Sequence, residues 1–310
     1  MRIFVAGGSG TLGRRLVPLL VARGHQVTAT TTSPGKLDLL RQMGAHAVVM
    51  NGLDAMSVGE TVASAGPDVI VHQMTALSMA HAGKPDLKHP DRWAATNNRL
   101  RTEATDHLLG AAAATGVSHV VAQSMANWYG GPEHGRVIEA DPLPPEEVAP
   151  KMRKSVEALR YVEDRVAKAN GVVLRYGPFY GPGATDHVLD LVHRRKFPLV
   201  GRGAGYFSWV HIDDAASATV LAMEQKANGV FNIVDDDPAP VGEWLLHVAA
   251  CAGAKRPVRV PKWLARLLAG EIAVKMMTDG RAFSNAKAKR ELGWQLRYPS
   301  WREGFKEELA

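Results

Sequence analysis

The chain has 310 residues, 46% of them hydrophobic, enough to bury a large core in one domain or in two intimate ones. No apolar run reaches the roughly 20 residues that cross a bilayer, no charged leader with a cleavage site opens the chain, and the single cysteine, Cys251, leaves neither a disulfide framework nor a thiolate metal cage. These features read as a cytoplasmic protein with no membrane partner. The net charge of +6 is modest, and its densest basic run, Arg194-Arg195-Lys196, reads as a solvated helix end; no aromatic-interleaved basic strip invites a nucleic acid.

Arg2-Ile3-Phe4-Val5-Ala6 predicts a short strand running straight into Gly7-Gly8-Ser9-Gly10-Thr11-Leu12-Gly13, and 12–23 predicts an amphipathic helix. A dinucleotide phosphate needs this order: backbone N–H groups free of Cβ bulk approach the pyrophosphate, and the positive end of the helix dipole faces it. Gly7, Ser9, Gly10, Thr11, Leu12, Gly13 and Arg14 are therefore the first candidate cofactor residues. The second strand, 27–30, leads into Thr31-Thr32-Ser33-Pro34-Gly35-Lys36. A carboxylate here would grip the ribose 2′-hydroxyl of NAD and repel a 2′-phosphate. With hydroxyls at Thr31, Thr32 and Ser33 and a cation at Lys36, joined by Arg14, the turn favours NADP; NAD is the alternative, because no arginine occupies the turn itself. The third strand, 47–50, leads into Asn51-Gly52-Leu53-Asp54, where Asn51 is placed to meet an adenine edge with Gly52 and Leu53 beside it, and Asp54 reads as a helix cap.

Strands 69–72 and 117–123 and helices 35–43, 56–65 and 93–114 complete an alternation that implies an α/β fold: a Rossmann-type, doubly wound parallel sheet with helices on both faces. Gln73 and Thr75 after the fourth strand and Gln123 at the end of the fifth are counted with the cofactor site. Segment 130–150, with Pro132, Pro142, Pro144, Pro145 and Pro150, reads as a long loop at the carboxyl edge, a lid or binding segment. A helix from 152 to 168 turns Val156, Leu159, Val162 and Val166 inward, and strand 171–175 follows. The chain thus divides into a dinucleotide-binding domain, 1–177, and a smaller C-terminal substrate-binding region, 178–310, from which 231–234 returns to the sheet. His211-Ile212-Asp213-Asp214 reads as a helix start and Asp235-Asp236-Asp237 as an acidic turn, so no metal site is expected.

Together these residues resemble the extended short-chain dehydrogenase/reductase superfamily, in its NAD-dependent epimerase/dehydratase group. The resemblance rests on the glycine turn, on Pro67-Asp68-Val69-Ile70-Val71-His72, on Ala122-Gln123-Ser124 with Tyr129-Gly130, and on Leu174-Arg175-Tyr176-Gly177-Pro178-Phe179-Tyr180-Gly181-Pro182-Gly183. Val210-His211-Ile212-Asp213-Asp214-Ala215, Asn285-Ala286-Lys287 and Glu291-Leu292-Gly293-Trp294 extend it to nearly the whole chain. It implies that Tyr176 and Gly177 lie nearest the nicotinamide and that the protein is a homodimer. It also implies catalysis by a Ser or Thr ending the fifth strand and by a Tyr-x-x-x-Lys pair on the next helix, where the lysine lowers the tyrosine pKa for proton transfer.

Ser124 fits the first role, with a structural strand-ending serine as the alternative. The second role is unfilled: no tyrosine in the sequence has a lysine four residues later. Aligning on Glu163 puts Ser155 and Leu159 at the two positions; a different gap placement gives other residues, but never the pair. Tyr161 with Arg165 has the spacing but sits about two turns too near the following strand and reads as surface helix. Tyr129 is the candidate substitute acid, Tyr180 and His187 are others, and Lys151 or Lys154 can supply the missing charge. Trp128, Tyr180 and His187 are the expected substrate-lining residues. Three functions follow from this pattern. The first is an NADP(H)-dependent oxidoreductase or epimerase-like isomerase acting on a carbonyl or carbinol of a small molecule, with a non-standard proton donor. The others are a catalytically silent NADP sensor and a non-redox lyase or cyclase using the same pocket.

Overall fold

The apolar runs of the first half form the strands of one parallel sheet, its inner strands covered on both faces and its edge strand, 46–49, partly exposed. The computed structural model describes residues 1–77, 82–126, 135–141 and 150–309. The strands are β1 (Arg2–Ala6), β2 (Gln26–Thr31), β3 (His46–Val49), β4 (Val69–His72), β5 (His119–Met125), β6 (Val172–Tyr176) and β7 (Gly229–Ile233). They lie in the order β7-β6-β5-β4-β1-β2-β3, all parallel. The chain reverses its direction of travel between β1 and β4, the switch point at which doubly wound sheets open a crevice at their carboxyl edge.

The period of two decides which side chain enters which layer. Ile3, Val5, Val69 and Val71 face α1 (Gly13–Ala22), α2 (Leu37–Gln42), α7 (Ile212–Glu224) and α11 (Ala286–Leu292) in one core. Phe4, Ala6 and Ile70 face α3 (Ala55–Ala65) and α4 (Ala95–Thr115) in the other. Helix α5 (Arg153–Lys168) closes the second layer by packing Val162 and Val166 on Ala122 and Val173. Each such aliphatic side chain contributes about 1.5–3 kcal/mol by leaving water. The remaining helices are α6 (Asp186–His193), α8 (Val241–Cys251), α9 (Lys262–Ala269), α10 (Glu271–Thr278) and α12 (Trp301–Leu309). Of these, α6, α8 and α12 surround a separate core of Tyr180, Trp209, Trp244, Trp301 and Phe305, while Ala265 of α9 and Val274 of α10 pack with Val200 in a smaller cluster.

Two expectations change in detail. The helix expected over 93–114 is broken at Ala94, with a single helical turn, Pro90–Trp93, ahead of α4. More of the C-terminal half returns to the sheet than 231–234: Val210, all of α7 and the α11 segment through Trp294 share the first core. A two-toothed ion pair, Arg15 Nε and Nη2 to Asp213 at 2.5 and 3.0 Å, fastens the start of α7 to α1.

His72 ends β4 at 2% exposure, its Nε2 3.2 Å from the Leu100 carbonyl and its Nδ1 accepting from the Met74 N–H at 3.3 Å. Burial lowers its pKa from 6.5 to about 4, and burial does the same to His211. The unfolded chain therefore binds more protons than the folded one between these values, and stability falls as pH drops from 6.5 toward 4, levelling off below. Urea unfolding across this window is expected to show that slope, and His72→Gln to make it shallower. A slope that His72→Gln leaves unchanged contradicts the neutral, buried assignment.

Candidate active site

The turn after β1 is built by close approach. Gly7 adopts φ +93°, and a Cβ there would meet the Gln73 carbonyl carbon at 2.8 Å, so the turn is pressed against the end of β4 at the switch point. A Cβ on Gly13 would meet the Gly8 oxygen at 2.4 Å, whereas one on Gly10 would touch only the Gly7 oxygen, at 3.2 Å. Gly10 is thus the position whose flank is left open. Helix α1 has no side-chain cap and no acid in its first turn, and the Thr11 and Leu12 N–H groups meet no acceptor among the described residues. Unmet donors at a helix N-terminus are an anion site.

Thr31 braces this turn instead of facing outward: its Oγ1 accepts from Ser9 Oγ at 2.9 Å and from the Ser33 N–H at 3.2 Å, with Thr30 Oγ1 accepting from the Gly7 N–H. Thr32 is exposed, Ser33 and Lys36 are half-buried, and Arg14 donates Nε to the Ser9 carbonyl. Neither Arg14 nor Lys36 enters an ion pair among the described residues. Asn51 folds back on itself, Oδ1 accepting from the Leu53 N–H at 3.1 Å, and a Cβ on Gly52 would strike the Met74 sulfur. Asp54 caps α3 through the Met56 and Ser57 N–H groups.

At the ends of β4, β5 and β6 the polar side chains face one another. Gln73 Nε2 donates to the Tyr176 hydroxyl, Gln123 Nε2 donates to the Met74 carbonyl at 3.0 Å, and Thr75 is exposed. Ser124 donates its proton to Glu163 Oε1 at 2.7 Å, and Arg175 meets both oxygens of that carboxylate, at 2.9 and 2.7 Å. All three are nearly or wholly enclosed, with Ser124 at 3%, Glu163 at 8% and Arg175 at 4% exposure. A carboxylate on the buried face of α5 is tolerable because a guanidinium and a hydroxyl satisfy it. The Ser124 hydroxyl is directed at Glu163, which is the structural alternative for this residue.

Eight residues before Glu163, about 12 Å along the helix, Ser155 opens α5 on the carboxyl edge. Its Oγ donates to Asp91 Oδ1 at 3.0 Å and accepts from Asn98 Nδ2 at 3.1 Å, while Asp91 also receives the Lys154 and Ser155 N–H groups. Asp91 therefore caps α5 from a distant segment. The sequence reading misses Asp91 and Asn98, which carry no local motif; Glu163 is detectable as the one acid on an otherwise apolar helix stripe. Tyr161 and Arg165 both bind Asp106 on α4 and lie away from this edge.

Three residues do not take the places expected from the sequence. Tyr176 is 3% exposed in the first core, its hydroxyl held by Gln73 and Thr219 on α7, and burial raises its pKa far above the usual range. Gly177 is buried against Ser208, whose carbonyl a Cβ would meet at 2.0 Å. Tyr180 is fully buried, stacked on Phe305 at 4.8 Å, and so lines the C-terminal core in place of a substrate pocket. His187 is exposed at the second position of α6. Trp128 and Tyr129 lie outside the described residues. The acid pairs are structural: Asp214 accepts from the Arg297 and Tyr298 N–H groups, Asp235 from those of Asp237 and Trp301. No cluster of metal-ligating side chains occurs among the described residues. A cavity of about 560 Å³ opens at the opposite, amino edge beside Gly66 and Gly116, where α3 and α4 end; helix C-termini repel phosphate.

A parallel sheet with an uncapped glycine turn at its switch point defines a Rossmann-type nucleotide fold. The chain belongs to the NAD dependent epimerase/dehydratase family, which it matches over residues 3–234. It is similar to a 3-diazoavenalumate denitrifying reductase of a Streptomyces species, 38% identical over 99% of this chain and 100% of that one. It is also similar to the 2-alkyl-3-oxoalkanoate reductase of Stenotrophomonas maltophilia, 28% identical over 97% of this chain and 91% of that one. Among solved structures it resembles human epimerase family protein SDR39U1 with NADPH, at TM-score 0.73 and 22% identity, covering 100% of this chain and 99% of that one.

Arg175→Met leaves Glu163 buried without the cation that meets both its oxygens, and is expected to lower stability by about 3–5 kcal/mol. Ser124→Ala removes one hydrogen bond and is expected to cost about 1 kcal/mol. Denaturant unfolding measures both, and equal, small losses contradict the buried-pair account.

Proposed function

We propose that this chain is an NADPH-dependent reductase whose substrate accepts hydride without a proton from the protein, a diazo compound in its diazonium form. The single observation that carries this reading is the occupancy of the proton-relay positions. With the helix aligned on Glu163, Ser155 and Leu159 fall where the resemblance implies a tyrosine and a lysine, and Ser155 is committed to Asp91 and Asn98, Ser124 to Glu163. Carbonyl reduction makes an alkoxide and depends on such a donor. NADPH held at the glycine turn would supply a hydride; on a diazonium carbon the C–H bond would form as the C–N bond breaks and N2 leaves, so that carbon calls for no general acid, and a phenolate oxygen left on the product would take its proton from water. The denitrifying reductase of the Streptomyces relative supports this substrate class.

The chain's own residues fit the cofactor. Gly10 leaves open the approach that a pyrophosphate needs, and the Thr11 and Leu12 N–H groups await an acceptor. Thr32, Ser33, Lys36 and Arg14 offer hydroxyls and two cations to a 2′-phosphate with no competing carboxylate. Buried Gln73 and half-buried Gln123 tie the ends of β4, β5 and β6 together at the crevice.

The enzyme, mixed with NADPH and 3-diazo-4-hydroxybenzoate, is expected to consume NADPH and release N2 one for one, while a panel of ketones and keto acids gives no turnover. Ketone turnover with no N2 release from the diazo compound overturns the substrate class. Lys36→Glu is expected to weaken NADPH binding about tenfold or more; unchanged affinity in a direct titration contradicts the 2′-phosphate assignment.

A further inference from the structure

We infer that a cationic cavity beside the start of α5 anchors a carboxylate on the substrate, an inference that rests on the reductase reading above. The cavity, about 250 Å³, is lined by Lys88, His89, Pro90, Asp91, Arg92 and Lys151. That is smaller than a whole-ligand pocket and suits one polar end of a molecule.

Four of its six lining side chains are basic in character. Lys88, Arg92 and Lys151 enter no ion pair among the described residues, whereas His89 is held by Asp86 at 3.0 Å. The one acid of the lining, Asp91, gives its oxygens to the N-terminus of α5 and pairs with none of the three cations, so the lining keeps an excess of positive charge. Three unpaired cations around one recess repel one another until an anion enters.

Position separates this anion from the cofactor. The 2′-phosphate side is the end of β2, and the cavity lies beside α5, which packs on β5, three strand spacings or about 14 Å away. Asp91 both lines the cavity and binds Ser155, the residue at the proton-donor position, so the recess adjoins the place where the reacting group must sit. On either side of the break at Ala94, the Trp93 Nε1 and Asn97 Nδ2 donors are buried without a partner among the described residues, and Asn97 is 0% exposed. The cations of the lining suit a carboxylate. The names of both relatives describe carboxylates, a diazoavenalumate and an oxoalkanoate.

Isothermal titration of the whole protein with NADP+ bound tests this, using 4-hydroxycinnamate, its methyl ester and inorganic phosphate as probes. The acid is expected to bind at least tenfold more tightly than the ester. Arg92→Met with Lys151→Met is expected to weaken the acid about tenfold or more and leave ester and NADP+ binding unchanged. Lys84→Met, on the same segment but outside the cavity, is expected to change nothing. Acid binding that ignores the double substitution, an ester that binds as well as the acid, a wild type that binds NADP+ but not the acid, or phosphate that outcompetes the acid each overturns the inference alone. A wild type that binds no NADP+ overturns the reductase reading, and the inference with it.

Discussion

The arrangement depends on one buried charge. Glu163 lies on the inward face of α5, where an unpaired carboxylate would be prohibitively costly, and Arg175 from β6 meets both of its oxygens. Ser124 from β5 completes the set. One carboxylate thereby fixes the helix against two strands and sets its depth along the sheet. That depth determines which residue stands at the carboxyl edge eight positions earlier, and the residue is Ser155. The same bonds that assemble the edge also commit the serine that a proton relay would need.

The consequence is a site divided by chemistry. On the β1–β2 side stand glycines, unmet N–H groups and cations outside any ion pair among the described residues, the groups that the proposed cofactor's phosphates call for. On the β4–β5–α5 side, Ser124, Ser155, Gln73 and Gln123 are engaged by neighbouring groups, and Lys88, Arg92 and Lys151 line a recess beside α5. Such a division is what the proposed hydride donor and anionic acceptor require. The site is poorly equipped to protonate an alkoxide with the described residues, and a substrate whose departing group is dinitrogen makes no such demand.

Most of the fold was legible in the sequence, because short apolar strands buried on both faces alternate with one-sided helices, and neither pattern has a competing reading. The strand ends fell within one or two residues, and the glycine turn lay where its spacing indicated. Tyr176 and Tyr180 were misread for a definite reason: an aromatic ring after a buried strand looks the same in sequence whether it lines a pocket or fills a core. The alternation in β6 sends Tyr176 inward, and stacking on Phe305 takes Tyr180. Asp91 was illegible because a cap supplied from 63 residues away leaves no local mark. Arg175 was visible only as part of a motif, since its partner lies 12 residues back on another element.

The central claim is that the substrate receives a hydride from the nicotinamide and needs no proton from the enzyme. Isotope tracing addresses it directly: 3-diazo-4-hydroxybenzoate is turned over with NADPH carrying deuterium at the transferring carbon, in ordinary water, and the product is analysed by NMR. The account predicts deuterium at the carbon that bore the diazo group, in one-to-one proportion with the N2 released. Protium from water at that carbon would contradict it.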